Sequence, residues 1–288
     1  MDIVPQLIAN SLIAGSIYAI LTLGFNLTYA TSKFIDMGFG VLTAVGGYTV
    51  FYVSKMLGFP LWLGIPVGIM LSGLISFLAY TFIYKPLRTR KSSGAVLLIA
   101  SLGTLTALQA VIAIFFTSQF QTLSGLLTGN RIFEFGGGTF TAVQLSIFLV
   151  GVLLFLLVTF LLKFTLFGKA FTAIGDDEEV SKIVGIDTDR IMGRLFFLSG
   201  AIGGLAGILI GFDTGIEPLM GLSWLLVAVV AAIVGGIGNI YGGLAGAFLL
   251  AFVENFGIWK IAGEWKSAIA FALLILFLIW RPKGLFPR

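Results

Sequence analysis

The fold class follows from one uncharged stretch of the chain, AVQLSIFLVGVLLFLLVTFLL, which occupies residues 142–162. A helix of this length would cross the roughly 30 Å hydrocarbon core of a bilayer, because each residue adds about 1.5 Å. The stretch lacks the alternation of apolar and polar residues that is typical of an outer-membrane barrel strand. It therefore predicts a membrane-spanning helix.

The composition extends this prediction to the whole chain. Of the 288 residues, 58% are hydrophobic and 10% are charged, whereas soluble domains carry about 25% charged residues. We therefore expect one transmembrane domain over residues 1–288, an all-α polytopic bundle of about nine helices. The predicted spans are 5–29, 37–56, 60–84, 94–117, 142–163, 194–212, 219–237, 242–258 and 264–281.

The uncharged run Pro218–Val253 has 36 residues, which is too long for one span of about 17–25 residues. Its middle, GGIGNIYGG at residues 235–243, is rich in glycine. Glycine weakens a helix and favours a turn. We therefore expect two short spans that join there, or broken half-helices.

The basic residues predict the orientation of the bundle. Nine spans put the N-terminus outside and the C-terminus inside, and thirteen of the seventeen basic residues then lie inside, as the positive-inside rule requires. The inside set is Lys33, Lys85, Arg88, Arg90, Lys91, Lys163, Lys169, Lys182, Arg190, Arg194, Arg281, Lys283 and Arg288. The outside set is Lys55, Arg131, Lys260 and Lys266.

Several classes of function lack the residues that they would need. The chain has no cysteine and no histidine, which disfavours disulfides, thiolate chemistry and the usual zinc sites. The spans hold no cluster of carboxylates for an intramembrane enzyme, and Glu254 alone would serve an ion-coupled transporter. The basic residues flank the spans, so they indicate topology rather than nucleic-acid binding. The start, MDIVPQ, has no basic region and predicts a first span rather than a cleaved signal.

Glycines recur at four-residue spacing, which aligns them on one helix face and lets backbones approach closely. These helix-packing candidates are Gly200, Gly203, Gly204, Gly207, Gly211, Gly238, Gly242 and Gly246. They indicate ordinary bundle packing, or a surface that moves or lines a pathway.

One segment, FGKAFTAIGDDEEVSKIVGIDTDRIMGR at residues 167–194, is unlike the rest because it holds ten charged residues. We call it the charged island. Within it, DDEEVSKIVG predicts a helix of about two turns, with Asp176 as N-cap and Glu179 completing a capping box. Four acids would lie in the first turn, and Gly185 would end the helix in a left-handed conformation. Its apolar stripe would be Val180, Ile183 and Val184.

A helix this short is unstable alone in water. The island is therefore either an ordinary solvated loop or an element that docks on the bundle or on a partner.

The island resembles the coupling loop of ABC importer permeases, whose pattern is Glu-Ala-Ala, three residues, then Gly. Here the pattern reads Glu179-Val180-Ser181, KIV, then Gly185. More specifically, the chain resembles the branched-chain amino-acid permeases of the high-affinity importer. The resemblance extends in order through YKPLRTRKSSGAVLLIASLGTLTALQ, VGGIGNIYGGLAGAFLLAFVEN and FALLILFLIWRPKGLF.

This resemblance implies an ABC importer permease fold with a cytoplasmic coupling loop at about 168–193. The implied coupling residues are Asp176, Glu178, Glu179, Val180, Ile183, Val184, Gly185 and Ile186. The chain has no GxxxxGK[ST] loop, so ATP and Mg would be bound by two partner ATPase subunits and no cofactor by this chain. A second homologous permease subunit and an extracytoplasmic binding protein are also implied, in the cytoplasmic membrane of a bacterium or archaeon.

The substrate implied is a branched-chain or other apolar amino acid, and related permeases handle urea or short amides. The family commonly has Asn-Phe-Ala-His-Gly before its second span, where this chain has Asp36-Met37-Gly38-Phe39-Gly40.

Polar residues within spans are costly unless they are paired or hydrated. The candidates for a pathway or an intramembrane site are Asn26, Asp36, Gly40, Thr104, Gln109, Glu254 and Asn255. Glu254 and Asn255 resemble the family's acidic position, although Glu254 could equally pair with Lys260 or Lys266. Asn26, Thr104 and Gln109 would line a hydrated path or bond across helices.

Overall fold

The computed structural model describes residues 3–126, 132–135, 137–260 and 262–286. Its helices are α1 Ile3–Ser32, α2 Gly38–Val50, α3 Leu61–Ala79, α4 Lys85–Thr89, α5 Gly94–Phe116, α6 Ala142–Phe164, α7 Leu166–Asp176, α8 Glu178–Ile183, α9 Thr188–Asp213, α10 Met220–Gly235, α11 Ile240–Ile258 and α12 Lys266–Trp280. Strands β1 Ile132–Phe135 and β2 Gly138–Thr141 form one antiparallel hairpin. Arg131 and Arg288, which entered the topology prediction, lie outside the described residues.

The predicted all-α membrane bundle is confirmed, and each of the nine predicted intervals contains a helix. In the described residues, seven helical segments are long and apolar enough to cross a membrane. The other two intervals hold α2, which has 13 residues before it continues as the π-helix Phe51–Met56, and α10, which has 16. The number of crossings therefore remains a prediction.

Two π-helical turns interrupt the regular helices. Phe51–Met56 follows α2, and Tyr80–Tyr84 joins α3 directly to α4. The joined segment Leu61–Thr89 is therefore one continuous helical rod whose geometry changes near its end. Such turns are frequent at functional sites.

Hydrogen bonds show which connecting segments lie at each end of the bundle. At one end, Gln6 donates to the Thr139 carbonyl at 3.2 Å. At the other, which we call the basic end, Arg88 donates to the Ser32 carbonyl at 3.2 Å and ion-pairs with Glu178. Residues 285–286 bond to the end of α10, and Asn239 in the following turn bonds to Asn26, so the last described segment lies at the basic end. The first described segment, which includes Gln6, lies at the opposite end.

The turn between α10 and α11 is closed by the last described segment of the chain. The Leu285 and Phe286 N–H groups donate to the Val234 and Gly235 carbonyls at 2.9 and 3.0 Å. The Asn239 side chain donates to the Phe286 carbonyl at 3.1 Å. The bonds from Leu285 and Phe286 satisfy carbonyls that the last turn of a helix otherwise leaves without a partner.

Helices α1 and α9 form the buried centre of the bundle, while α6 and α12 expose most of their surface. Glycine allows α9 to lie directly against its neighbours. A Cβ added at Gly207 would overlap the Thr43 carbonyl in α2, and one at Gly204 would overlap the Ser72 side chain in α3. Close backbone approach of this kind stabilises membrane bundles through van der Waals contact.

The other predicted packing glycines have different neighbours. Within α9, Gly200 faces Ser76, Gly203 faces Phe39 and Gly211 faces Leu123. In α11, Gly242 and Gly246 approach the backbone of α10.

The assignment of Gly238 to a helix face is wrong. Gly238 lies in the turn between α10 and α11 with a φ of +80°, and the nearest atoms to an added Cβ are 3.7 Å away. The left-handed backbone, not close packing, requires glycine there. Gly40, one of the pathway candidates, packs against the Gly221 carbonyl at the start of α10.

Candidate functional site

The charged island folds as two short helices between α6 and α9. Thr165 caps the first, α7, by accepting a hydrogen bond from the Gly168 N–H at 3.2 Å. Helix α7 buries Phe171 and Ile174 against the bundle and exposes Leu166. This helix precedes the two-turn helix predicted for the island and was not itself predicted, although its apolar residues at three- and four-residue spacing indicate a helix.

The connection between α6 and α9 covers residues 165–187. It ends earlier in the chain than the predicted loop of 168–193. Helix α9 begins at Thr188 because Asp187 caps it, accepting a hydrogen bond from the Arg190 N–H at 3.0 Å. The first turns of α9 were therefore misassigned to the loop.

The cap of α8 is Asp177 and not Asp176, so the predicted cap is wrong by one residue. The Asp177 carboxylate accepts from the Glu179 and Val180 N–H groups at 2.9 and 3.0 Å. Asp176 is instead the last residue of α7. The third residue after the true cap is Val180, which cannot complete a capping box. Two acids, Glu178 and Glu179, occupy the first turn instead of four.

The apolar stripe of α8 faces away from the bundle. Val180, Ile183 and Val184 are 53%, 83% and 69% exposed. The expected left-handed end is confirmed, because Gly185 has a φ of +89°. The Gly185 and Ile186 N–H groups donate to the Lys182 and Ser181 carbonyls at 3.1 and 3.0 Å, which is the Schellman ending. An exposed apolar edge on a helix that cannot stand alone is suited to docking on a partner.

Beneath the island lies a separate apolar cluster that joins the segment after α1, the π-helical turn Tyr80–Tyr84, α5, α7 and α9. Its rings lie in close contact: Tyr80 and Phe196 stack with centroids 4.8 Å apart, and Phe34 and Tyr84 meet edge to face with centroids 5.2 Å apart. Ile186, the residue after Gly185, packs against this cluster. Its members are Phe34, Tyr80, Tyr84, Leu97, Ile174, Met192 and Phe196.

Ion pairs join the island to α4 on both flanks. Glu178 pairs with Arg88, and it also pairs with Lys182 at 2.7 Å within α8. Asp189 pairs with Lys85 at 3.2 Å. The carboxylate of Glu178, which was predicted to couple to a partner, is therefore engaged within this chain.

A cleft of about 700 Å³ separates the island from α4 and the end of α1. Side chains of both signs line it, among them Lys33, Lys91 and Glu179. Helix α8 buries only Ser181. The island is therefore held mainly by ion pairs and by residues beside α8, not by a packed face of α8 itself.

The predicted intramembrane residues do not come together at one site. Asn26 is fully buried, donating to the Asn239 carbonyl at 3.1 Å and accepting from the Gly238 N–H at 3.0 Å. It ties α1 to the α10–α11 turn. Thr104 and Gln109 are buried on α5, and Thr104 donates to the Ala100 carbonyl at 3.0 Å.

Asp36 lies between α1 and α2, next to the apolar cluster. Its carboxylate accepts from the Gly38 N–H at 2.9 Å and the Tyr84 hydroxyl at 2.7 Å. Burial raises the pKa of Asp36 to about 6, although these hydrogen bonds act in the opposite direction. This pKa exceeds the 3.8 of an ordinary Asp. As the pH rises from 3.8 to about 6, the carboxyl therefore ionises more readily in the unfolded chain than in the folded one, which lowers the stability of the folded state.

Glu254 is 1% exposed and pairs with Lys266 at 3.7 Å, which is one of the two pairings that the sequence left open. It also accepts a hydrogen bond from the Tyr18 hydroxyl at 2.5 Å. Asn255 donates within its own helix to the Ala251 carbonyl at 2.8 Å. The group ties α1, α11 and α12 together.

The model of a protein family described as branched-chain amino acid transport system / permease component matches residues 7–278. The chain belongs to this family. The match runs from α1 into α12 and includes the whole island.

Individual relatives agree with this assignment. The chain is 28% identical over 295 residues to the high-affinity branched-chain amino acid transport system permease protein BraD of Pseudomonas aeruginosa, covering 98% of this chain and 95% of that one. It is 28% identical to LivH of Escherichia coli, the correspondingly described permease protein, with the same coverage.

The fold also resembles a solved structure. A chain from the structure described as PsaBC from Streptococcus pneumoniae in complex with Fab aligns over 98% of this chain and 93% of its own length. The TM-score is 0.55 and the sequence identity is 14%. The fold of this multi-pass membrane protein therefore has a counterpart among solved structures.

Proposed function

We propose that the chain is a transmembrane permease subunit of an ABC importer for branched-chain or other apolar amino acids. The family match over residues 7–278 carries the proposal. Both relatives described above are named as branched-chain amino acid permeases, which favours amino acids over urea or short amides. The substrate would come from an extracytoplasmic binding protein.

ATP hydrolysis would occur in two partner ATPase subunits that dock on α8. The support is the exposed apolar edge of Val180, Ile183 and Val184, which lies at the end of the bundle where the basic residues gather. An apolar helix edge of this kind fits a hydrophobic groove on a partner.

Cysteine cross-linking tests this docking. The chain has no cysteine, so a single Ile183→Cys variant should cross-link to cysteines placed in the groove of the ATPase. The yield should change with nucleotide as that groove closes. Ser181→Cys is the matched control, because Ser181 lies on the buried side of the same helix. Equal cross-linking of both variants, or of neither, would contradict docking through the apolar edge.

A second homologous permease subunit would complete the translocation path beside α5. This helix exposes Gly103, Thr106, Ala107 and Ala110. A Cβ added at Gly103 would meet no atom within 4 Å in the described residues, unlike the glycines of α9. Small and polar residues on an exposed helix face suit a neighbouring subunit or a path between subunits better than lipid.

The orientation of the bundle is predicted from the basic residues. With the N-terminus outside and the C-terminus inside, the island faces the cytoplasm, where ATPases work. Reporter tags that fluoresce or are enzymatically active on one side of the membrane should show the two termini on opposite sides. Two termini on the same side would overturn the nine-span arrangement while leaving the family assignment intact.

A further inference from the structure

Arg88 lies where three separate segments of the basic end meet. One guanidinium nitrogen donates to the Ser32 carbonyl at the end of α1, at 3.2 Å. The other pairs with Glu178 at the start of α8. The side chain is only 16% exposed, so solvent weakens these contacts less than it would on an open surface.

The segment that carries Arg88 also contacts the start of α2. Four residues earlier, on the same helical rod, the Tyr84 hydroxyl donates to Asp36 at 2.7 Å. Asp36 in turn accepts from the Gly38 N–H, the first residue of α2. The helical rod therefore carries two sets of polar contacts one turn apart, from Arg88 to α8 and the end of α1, and from Tyr84 through Asp36 to the start of α2.

The open cleft increases the importance of these contacts. Because α8 itself buries only Ser181, a displacement of α8 has few packed surfaces through which to reach the bundle. A second ion pair, Lys85 with Asp189, holds the far flank of the island to the same rod. The planar guanidinium of Arg88 can donate hydrogen bonds to a carboxylate and a carbonyl at the same time. A lysine ammonium does so with less directional control.

We propose that Arg88 is a positioning residue that transmits displacement of α8 to the mouth of the bundle at Ser32 and Asp36. The inference rests on the proposed function, in which an ATPase acts on α8. Arg88 holds the island to the rod throughout the cycle, and the rod carries Tyr84 with it. Loss of the link uncouples ATP hydrolysis from movement at the ends of α1 and α2.

A charge exchange in the complete importer tests this role. The complex is reconstituted in liposomes with its binding protein, and transport is measured per ATP hydrolysed. Arg88→Glu and Glu178→Arg should each lower this ratio by about fivefold, the size expected for a residue in a coupling network. The double variant restores an ion pair of opposite polarity but not the bond to the Ser32 carbonyl, because a carboxylate cannot donate, so it should recover only part of the loss. Arg90→Glu is the matched control, because Arg90 is exposed and two residues away, and it should keep the wild-type ratio.

Association of the ATPases, measured by pull-down, separates this inference from the proposed function. Arg88→Glu should retain the ATPases, whereas failure of the Ile183→Cys cross-linking would contradict the docking on which both depend. If Arg88→Glu does not assemble, Arg88→Gln is measured in the same way. A wild-type ratio in the single variants, or no recovery in an assembled double variant, would overturn the role of Arg88.

Discussion

Gly207→Leu is expected to prevent assembly of the permease, lowering the yield of correctly folded protein by at least about tenfold. The smallest side chain at this position would already overlap the Thr43 carbonyl. A rotamer change cannot relieve that overlap, because the opposing atoms are the backbone of α2. Helices α9 and α2 would have to separate, and lipid provides no hydrophobic force to hold them together. The measurement is the fraction of protein that is monodisperse after extraction in mild detergent, together with transport.

Two controls isolate the cause. Gly125→Leu should be tolerated, because an added Cβ at Gly125 meets no atom within 4 Å in the described residues. Gly207→Ala should lower the yield more than Gly151→Ala, since a Cβ at Gly151 in α6 lies 3.5 Å from Ser16, an ordinary contact. Equal yields for the two alanine variants would show that the close approach of α9 to α2 does not limit assembly.

Gly185→Val is expected to lower transport by about tenfold while the protein still inserts normally. The φ of +89° is unfavourable for a β-branched residue, at a cost of about 1–3 kcal/mol. Among the described residues, no atom lies within 4 Å of a Cβ added at Gly185, so the strain is confined to the backbone. That strain should misdirect α8 and reduce ATPase association together with transport. Both are measured in membranes that contain equal amounts of permease.

Gly185→Asn is the matched control, because asparagine tolerates the left-handed region better than other residues. It should retain most of the transport that the valine variant loses. Normal ATPase association and transport in Gly185→Val would mean that the ending of α8 does not set its docking direction.

The sequence predicted the features that depend on local patterns. Span positions follow from the length of apolar runs, and the ending of α8 follows from the need for glycine at positive φ. The predicted cap was wrong by one residue because Asp176 and Asp177 are adjacent and either aspartate can cap a helix. Tertiary packing decided between them, since Phe171 and Ile174 bury the preceding helix and carry it through Asp176.

Features that depend on distant contacts were not available from the sequence. Arg88 and Glu178 are 90 residues apart, and Tyr18 and Glu254 are 236 apart. Nothing in either local pattern points to its partner. The prediction that Gly238 lies on a helix face was wrong for a related reason. Four-residue spacing describes a helix face only when every member lies in the helix.

The bonds from Leu285 and Phe286 to the end of α10 form late during biosynthesis. Helices α10 and α11 leave the ribosome first, but the Val234 and Gly235 carbonyls receive their donors only after α12 has been made. Until then, the turn at the basic end depends on water or on other provisional donors. The hydrogen bonding of this turn is therefore completed only after α12 and the residues that follow it have been made, so the turn matures later than the two helices that it joins.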